Sequence, residues 1–196
     1  MSLRIETLSR DQFGAALTAL AHLRIEVFRD WPYLYDGSLA YEQTYLDKFS
    51  ATEGSVIVAA YDGATIVGCA TAAPLLGHEP EFAAPFLKVG YDPSRIFYFG
   101  ESVLRASYRG RGIGHAFFDH REAAARRSHG VTHTAFCGVV RPADHLARPA
   151  GYSPLDAFWI KRGYTKVPAL IAHYDWTDVG DSAKTSKPMQ FWMRAL

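Results

Sequence analysis

The sequence predicts a mixed α/β fold in which an antiparallel hairpin precedes a parallel strand pair joined by a helix. Three observations predict it. Apolar runs rich in Val, Ile, Phe and Tyr recur at 55–61, 64–71, 96–104 and 132–140, the length and composition of strands. After Arg109 the period changes: Ile113, Ala116, Phe117, His120 and Ala124 fall at i, i+3, i+4, i+7 and i+11, while Asp119, Glu122 and Arg126 take the other side. That helix lies between two of the runs, and a strand, helix, strand crossover makes its strands parallel.

Taken in order, Leu3, Ile5 and Leu8 alternate with polar neighbours as a short strand. Ser9 and Gln12 form a capping box for a helix running to Val27. The stretch 31–37, WPYLYDG, is an aromatic turn that either covers core or walls a substrate. A second helix is expected from Leu39 to Phe49, carrying Glu42 and Asp47. Asp62-Gly63 then suits a two-residue turn with positive φ at both positions, closing the hairpin. Residues Pro74 to Pro93 show no clear period and read as a long connection. Ile96 to Leu104 is the central strand, and Arg141 to Gly151 a long basic loop. Ser153 as cap, Pro154 at the first position, Asp156 at the third and Gly163 past the end predict a short helix. Strands at Leu170–Trp176 and Met189–Leu196 close the chain.

At 196 residues the chain suits one domain, 1–196, burying about 70% of its unfolded surface. Lys plus Arg number 21 against 20 Asp plus Glu, a net charge of +1, so no broad basic face for nucleic acid or an anionic membrane is expected. A small-molecule partner fits better. Cys69 and Cys137 sit inside apolar runs, the N-terminus has no apolar core for export, and no apolar stretch approaches the ~20 residues of a spanning helix. These features predict reduced thiols and a cytoplasmic protein.

Chemistry concentrates where the central strand turns into its helix. A helix start leaves amides unpaired and carries partial positive charge. Gly110, Gly112 and Gly114 remove the side chains that would keep an anion away, and Arg109 and Arg111 flank them. A Walker-type loop needs Gly-Lys-Ser/Thr, which is absent. A dinucleotide fingerprint needs a sixth-place glycine, where His115 or Phe117 stands.

What fits is R-x-x-G-x-G from Arg109 to Gly114, which resembles the acetyl-CoA-binding motif of the GNAT superfamily of N-acetyltransferases. FWIKRGY, Phe158 to Tyr164, is similar to a second segment of that family, and the element order matches over nearly the whole chain. The resemblance implies a mostly antiparallel sheet of six to seven strands, its central parallel pair splayed for CoA, flanked by about four helices. It also implies acetyl transfer from acetyl-CoA to a primary amine by direct attack, without a metal. On that basis the amides of Gly110, Arg111, Gly112, Ile113 and Gly114 hold the pyrophosphate, with Arg109 and His115 contributing. The strand edge at Val103, Leu104 and Arg105 pairs with the pantetheine.

Glu101 is the expected general base, the one carboxylate in the central strand, buried beside Phe97, Phe99 and Val103; its alternative is a structural pair with Arg105 or Arg95. It stands eight residues before Arg109 where relatives use nine, an offset that would turn it to the other face. The family's tyrosine acid is replaced by Trp159, leaving Tyr152, with Tyr164 second, as candidate acid. Asp36, Glu42 and Asp47 near the aromatic turn either suit a cationic acceptor, an exposed amino group or small amine, or, the reading preferred here, belong to an ordinary solvated helix face. Exposed terminal strands would suit a homodimer. The alternative reading is a module that binds or senses acyl-CoA without transfer. No histidine group has zinc spacing, and Cys137 as a nucleophile is disfavoured against core packing.

Overall fold

Alternating and unbroken apolar runs become strands and the period-3.6 segments become helices. The computed structural model describes residues 3–78 and 80–196; Met1 and Ser2 of the N-terminal stretch and Glu79 of the Pro74–Pro93 connection lie outside them. The order is β1 (Leu3–Thr7), α1 (Phe13–Phe28), α2 (Leu39–Ala51), β2 (Val56–Asp62), β3 (Thr65–Pro74), α3 (Pro80–Lys88), β4 (Ile96–Leu104), α4 (Ile113–Arg127), β5 (His133–Val139), α5 (Asp156–Lys161), β6 (Thr165–Thr177) and β7 (Lys184–Ala195). The strands form one sheet, β1-β2-β3-β4-β5-β7-β6. Every neighbouring pair is antiparallel except β4 with β5.

Period-2 alternation sends successive residues to opposite faces. Ile57, Ala59 and Cys69 pack with Leu20, Leu23 and Leu46 under α1 and α2. Val58, Ala60, Val67 and Ala70 meet Ile113 and Phe117 of α4 on the other face. Phe97 and Phe99 pack with Phe118 on the α4 side, whereas Ile96 and Tyr98 meet Phe86 and Phe191. Each fully buried ring of this kind contributes about 2 kcal/mol.

Four local expectations are corrected. The Pro74–Pro93 connection contains α3, whose Phe82, Ala83 and Phe86 make the buried side. Pro85 inside it removes an amide and masks the helical signal. The hairpin register pairs Asp62 with Thr65, so the loop residues are Gly63 and Ala64, and only Gly63 has positive φ, 60°. Glycine first is the other favoured hairpin geometry. Ser153 caps nothing: α5 opens at Asp156 with Leu155, two residues further on, as its N-cap. Its C-terminus is as expected, with Gly163 at φ 83° and the Gly163 and Tyr164 amides donating to Ile160 and Trp159 carbonyls at 2.9 and 3.0 Å.

Glu122, expected on the outer face of α4, is buried. Arg194 and Arg162 each meet it at 3.0 Å, and the Tyr164 hydroxyl donates to it at 3.3 Å. Ion pairing overrides the periodicity there.

Candidate active site

β4 and β5 pair only at Ile96↔His133, Phe97↔Thr134 and Tyr98↔Ala135, although β4 runs on to Leu104 and β5 to Val139. Beyond Tyr98 the two strands part. On the other edge of β4 the ladder jumps from Ala72↔Phe99 to Ala70↔Ser102, leaving Gly100 and Glu101 both opposite Thr71. This bulge adds one residue and inverts the alternation that follows. Phe97 and Phe99 therefore face α4, while Val103 packs on the α1 side and Glu101 reaches Arg24 of α1. A Cβ on Gly100 would stand 2.6 Å from Thr71 Oγ1, so the bulge position needs glycine.

The expected apolar pocket for Glu101 is thus replaced, with only Val103 sharing its face. Its pairing partner is neither Arg105, which bonds Glu26 at 3.1 Å, nor Arg95. Glu101 is 5% exposed. Thr71 Oγ1 donates to Oε1 at 2.9 Å and accepts the Glu101 amide at 3.2 Å. Arg24 Nη1 donates to Oε2 at 2.5 Å, while Nε of the same guanidinium bonds the buried carboxylate of Glu42 on α2. Phe28 and Tyr45 rings flank Arg24, 5.3 and 4.6 Å from its Cζ. Burial opposes the charge of Arg24, but Glu101, Tyr45 and Glu42 outweigh it and hold the guanidinium protonated well above its ordinary range. Burial first and Glu101 second push the Tyr45 hydroxyl up.

Sequence reasoning missed Arg24 and Arg121. From α4, Arg121 donates to the Phe117 carbonyl at 3.1 Å and to the Thr71 and Glu101 carbonyls at 3.4 Å. It thereby holds the bulge from behind. Burial lowers it to about 10. Its single place among apolar helix neighbours was the available signal: a charged residue on a buried stripe needs a partner.

The aromatic turn is a packed loop, its backbone held by Arg141 and Trp176. Arg141, just past β5, donates to the Pro32 carbonyl at 2.9 Å, the Tyr33 carbonyl at 2.7 Å and both Asp178 oxygens at 2.6 and 2.9 Å. Trp176 Nε1 donates to the same Tyr33 carbonyl at 3.0 Å. So held, the Tyr33 hydroxyl is pushed up by burial and then by Cys137, with the Val139 backbone, Arg24 and Tyr152 around it. These groups stand where β5 has left β4. The Cys137 thiol, raised to about 12 by burial, lies 3.1 Å from the Tyr98 hydroxyl.

Tyr152 stands edge-on to Trp31 with centroids 5.9 Å apart, and burial, then Asp156, raises its hydroxyl. Trp159 packs between Phe136 and Trp192. Tyr164 is committed elsewhere, its hydroxyl on Thr134 at 2.8 Å and on Glu122. The carboxylates at 36, 42 and 47 do not converge: Asp36 pairs with Arg29 at the surface, Glu42 is inside on Arg24, and Asp47 lies beside Leu17 and Gln43.

At the end of β4, Gly110 and Gly112 have φ of 76° and 81°, and a Cβ on either would meet nothing within 4 Å. Gly112 is the N-cap of α4, no side chain caps that end, and no acidic residue stands in its first turn. Such an end attracts an anion. Arg109 and His115 are exposed; His115 meets Phe158 edge-on at 4.9 Å, and Arg111 donates to the Ser107 carbonyl at 3.0 Å. The Arg105 amide donates to the Val67 carbonyl of β3 at 3.1 Å, on the edge of β4 away from the splay. An uncapped, side-chain-free turn beside an open strand edge fits a ligand with a diphosphate and an amide-bearing arm. A groove of about 730 Å³ along α1 is lined by His22, Tyr61 and Arg105. Among the described residues no three His, Cys, Asp or Glu side chains gather to hold a metal ion, and no helix is long and apolar enough to cross a membrane.

A family model described as the acetyltransferase (GNAT) family matches residues 19–152. The fold is similar to a ribosomal-protein-alanine N-acetyltransferase from Brucella melitensis, with a TM-score of 0.61 at 15% identity over 98% of this chain and 99% of that one. It is similar to an aminoglycoside 6'-N-acetyltransferase complexed with coenzyme A, TM-score 0.59 at 16% identity over 98% and 96%. It also resembles the Salmonella typhimurium yncA protein with its cofactor acetyl-CoA, TM-score 0.57 at 11% identity over 100% and 95%. No curated protein matches the sequence.

Proposed function

The chain belongs to the acetyltransferase (GNAT) family, an acetyl-CoA-dependent acyltransferase, and from that premise we propose that it acetylates a primary amine by direct attack within a ternary complex. The observation that carries this reading is the bulge opposite Thr71, which turns Glu101 to the α1 face where β4 leaves β5. A donor lying in the splay and an acceptor arriving from the α1 side would then meet beside this carboxylate. Bound acetyl-CoA supplies the activated acyl carbon.

The chain's own residues divide the remaining work. Amides from Gly110 to Gly114, with Arg109, Arg111 and His115 around them, hold the diphosphate, and the edge at Val103 and Leu104 pairs with the pantetheine amides. Glu101 takes the proton that the ammonium form of the acceptor must lose. A nitrogen–carbon bond forms, the carbon–sulfur bond breaks, Tyr152 gives its proton to the departing thiolate, and the proton shed by the new amide nitrogen passes through solvent to restore Tyr152. Tyr33 and Trp31, fixed by Arg141, wall the acceptor side. The whole of 1–196 acts as one catalytic domain, and a homodimer would form through its edge strands.

The test is thiol release from acetyl-CoA against a panel of polyamines, amino acids and aminoglycosides, repeated with Glu101→Gln across pH. Release above the protein-free rate for at least one amine, with the alkaline rise of rate flattened in the variant, is the expected result. Tight CoA binding without release for any amine would favour a sensing module instead.

A further inference from the structure

One guanidinium serves two buried carboxylates. Arg24 presents Nε to Glu42 and Nη1 to Glu101, so neither acid receives the two parallel bonds of a bidentate pair. Glu42 is 0% exposed and Glu101 5%. One basic side chain thus faces two acidic ones in largely buried surroundings, where charges are weakly screened.

We propose that Glu42 is a positioning residue for the transfer reaction: from α2 it draws Arg24 away from neutralising Glu101 alone, and so leaves Glu101 able to take up the acceptor's proton. This rests on the reading of Glu101 as the base. The physical reasoning is one of competition. A carboxylate with sole claim to a guanidinium is a poor proton acceptor, because protonating it discards the pair. A carboxylate that shares the guanidinium with a like charge loses less on protonation, since the second acid keeps the cation and the repulsion between the acids is relieved.

The surroundings leave the competition intact. Facing Glu101 are Arg24 from α1, Tyr45 from α2, and Thr71 and Cys69 from β3, with Glu42 of α2 on Nε of the same guanidinium. Arg121 of α4 reaches the Glu101 carbonyl and not its carboxylate. Tyr35 of the aromatic turn faces Glu42, its hydroxyl pushed up by burial and then by that acid. Arg24 is thus the cation that both acids contact directly.

The two arms of the sharing predict opposite signs. Glu42→Gln keeps the shape and an acceptor for Nε but gives the whole charge of Arg24 to Glu101. The acid limb of kcat/KM should then move down by about 1 pH unit, with the rate at neutral pH lower by about tenfold. Arg24→Gln leaves the two acids facing each other, and the limb should move up. The KM for acetyl-CoA should hold in both, and Glu42→Asp should restore most of the wild-type profile. These are read as thiol release with the best amine of the panel, alongside carbon NMR of the glutamate carboxyl groups in the CoA-bound protein.

Wild-type limbs in both variants, or shifts of the same sign, would overturn the proposal. If Arg24→Gln does not fold, Glu42→Gln decides alone by the direction of its shift. NMR separates this inference from the one beneath it. A Glu101→Gln profile like wild type removes Glu101 as base, whereas an unchanged Glu101 titration in Glu42→Gln removes the sharing whatever the kinetics show.

Discussion

Thr71 and Glu101 exchange two hydrogen bonds, the hydroxyl donating to the carboxylate at 2.9 Å and accepting the backbone amide at 3.2 Å. The threonine thus fixes both the bulge and the acid it projects. Replacing it by valine keeps the shape and removes both bonds. Thr71→Val should cost about 1–2 kcal/mol in urea unfolding, since a buried amide loses its acceptor, and should lower kcat by roughly tenfold as Glu101 loses its second anchor. Thr71→Ser should recover most of the rate. Wild-type turnover in the valine variant would show that the bulge does not position the acid.

The cradle makes a prediction that separates ligand approach from folding. Gly114 lies in the first turn of α4, and an added Cβ there would meet only Phe158 at an ordinary 3.5 Å. Gly114→Ala should leave the melting temperature within a few degrees of wild type while weakening CoA binding several-fold, measured by calorimetry. Gly112 has φ 81°, so a bulky residue there adds backbone strain of about 1 kcal/mol; its loss of CoA affinity should be at least as large. Unchanged affinity in both variants would remove the cradle.

Burial raises the Cys137 thiol to about 12, and the Tyr98 hydroxyl contacts it. At pH 8 almost none of it is thiolate, so iodoacetamide should modify it far more slowly than a free thiol such as glutathione. Cys137→Ala should retain turnover within a few-fold, and mass spectrometry of the protein mixed with acetyl-CoA should show no added acetyl on this residue. A stable acetyl adduct at Cys137 would mean a two-step route.

Acid sensitivity should trace in part to His78, packed against Phe82 and Tyr98 with centroids 5.3 and 5.0 Å away. Burial lowers this imidazole from an ordinary 6.5 to about 4. The unfolded chain therefore binds the proton first. The stability is whole above about pH 6.5 and is lost as pH falls toward 4, by up to about 3 kcal/mol. His78→Phe should flatten that slope in urea titrations at pH 4.5 and 7; an equal slope in both proteins would assign the acid sensitivity elsewhere.

How much of this was legible depended on distance along the chain. The glycine turn was readable because helix start, positive φ and absent side chains are properties of neighbours in sequence, and Gly110 and Gly112 adopt them. The central strand, Ile96–Leu104, was readable because strand composition is local. α3 was hidden by its own proline, and Glu122 by three partners, Arg162, Arg194 and Tyr164, drawn from other elements.

The sequence by itself determined that a glycine-rich helix start follows a buried strand bearing one carboxylate. Only the tertiary structure decided which way that carboxylate points and what it touches. The bulge exists in the register between β4 and β3, set across 30 residues of chain by Thr71 and Glu101. Arg24 and Glu42 come from helices 77 and 59 positions away, the first of these separations spanned by the Arg24 to Glu101 bond. A pattern of period 2 carries no record of where pairing skips a residue, so the face of Glu101 follows from how strands align in space.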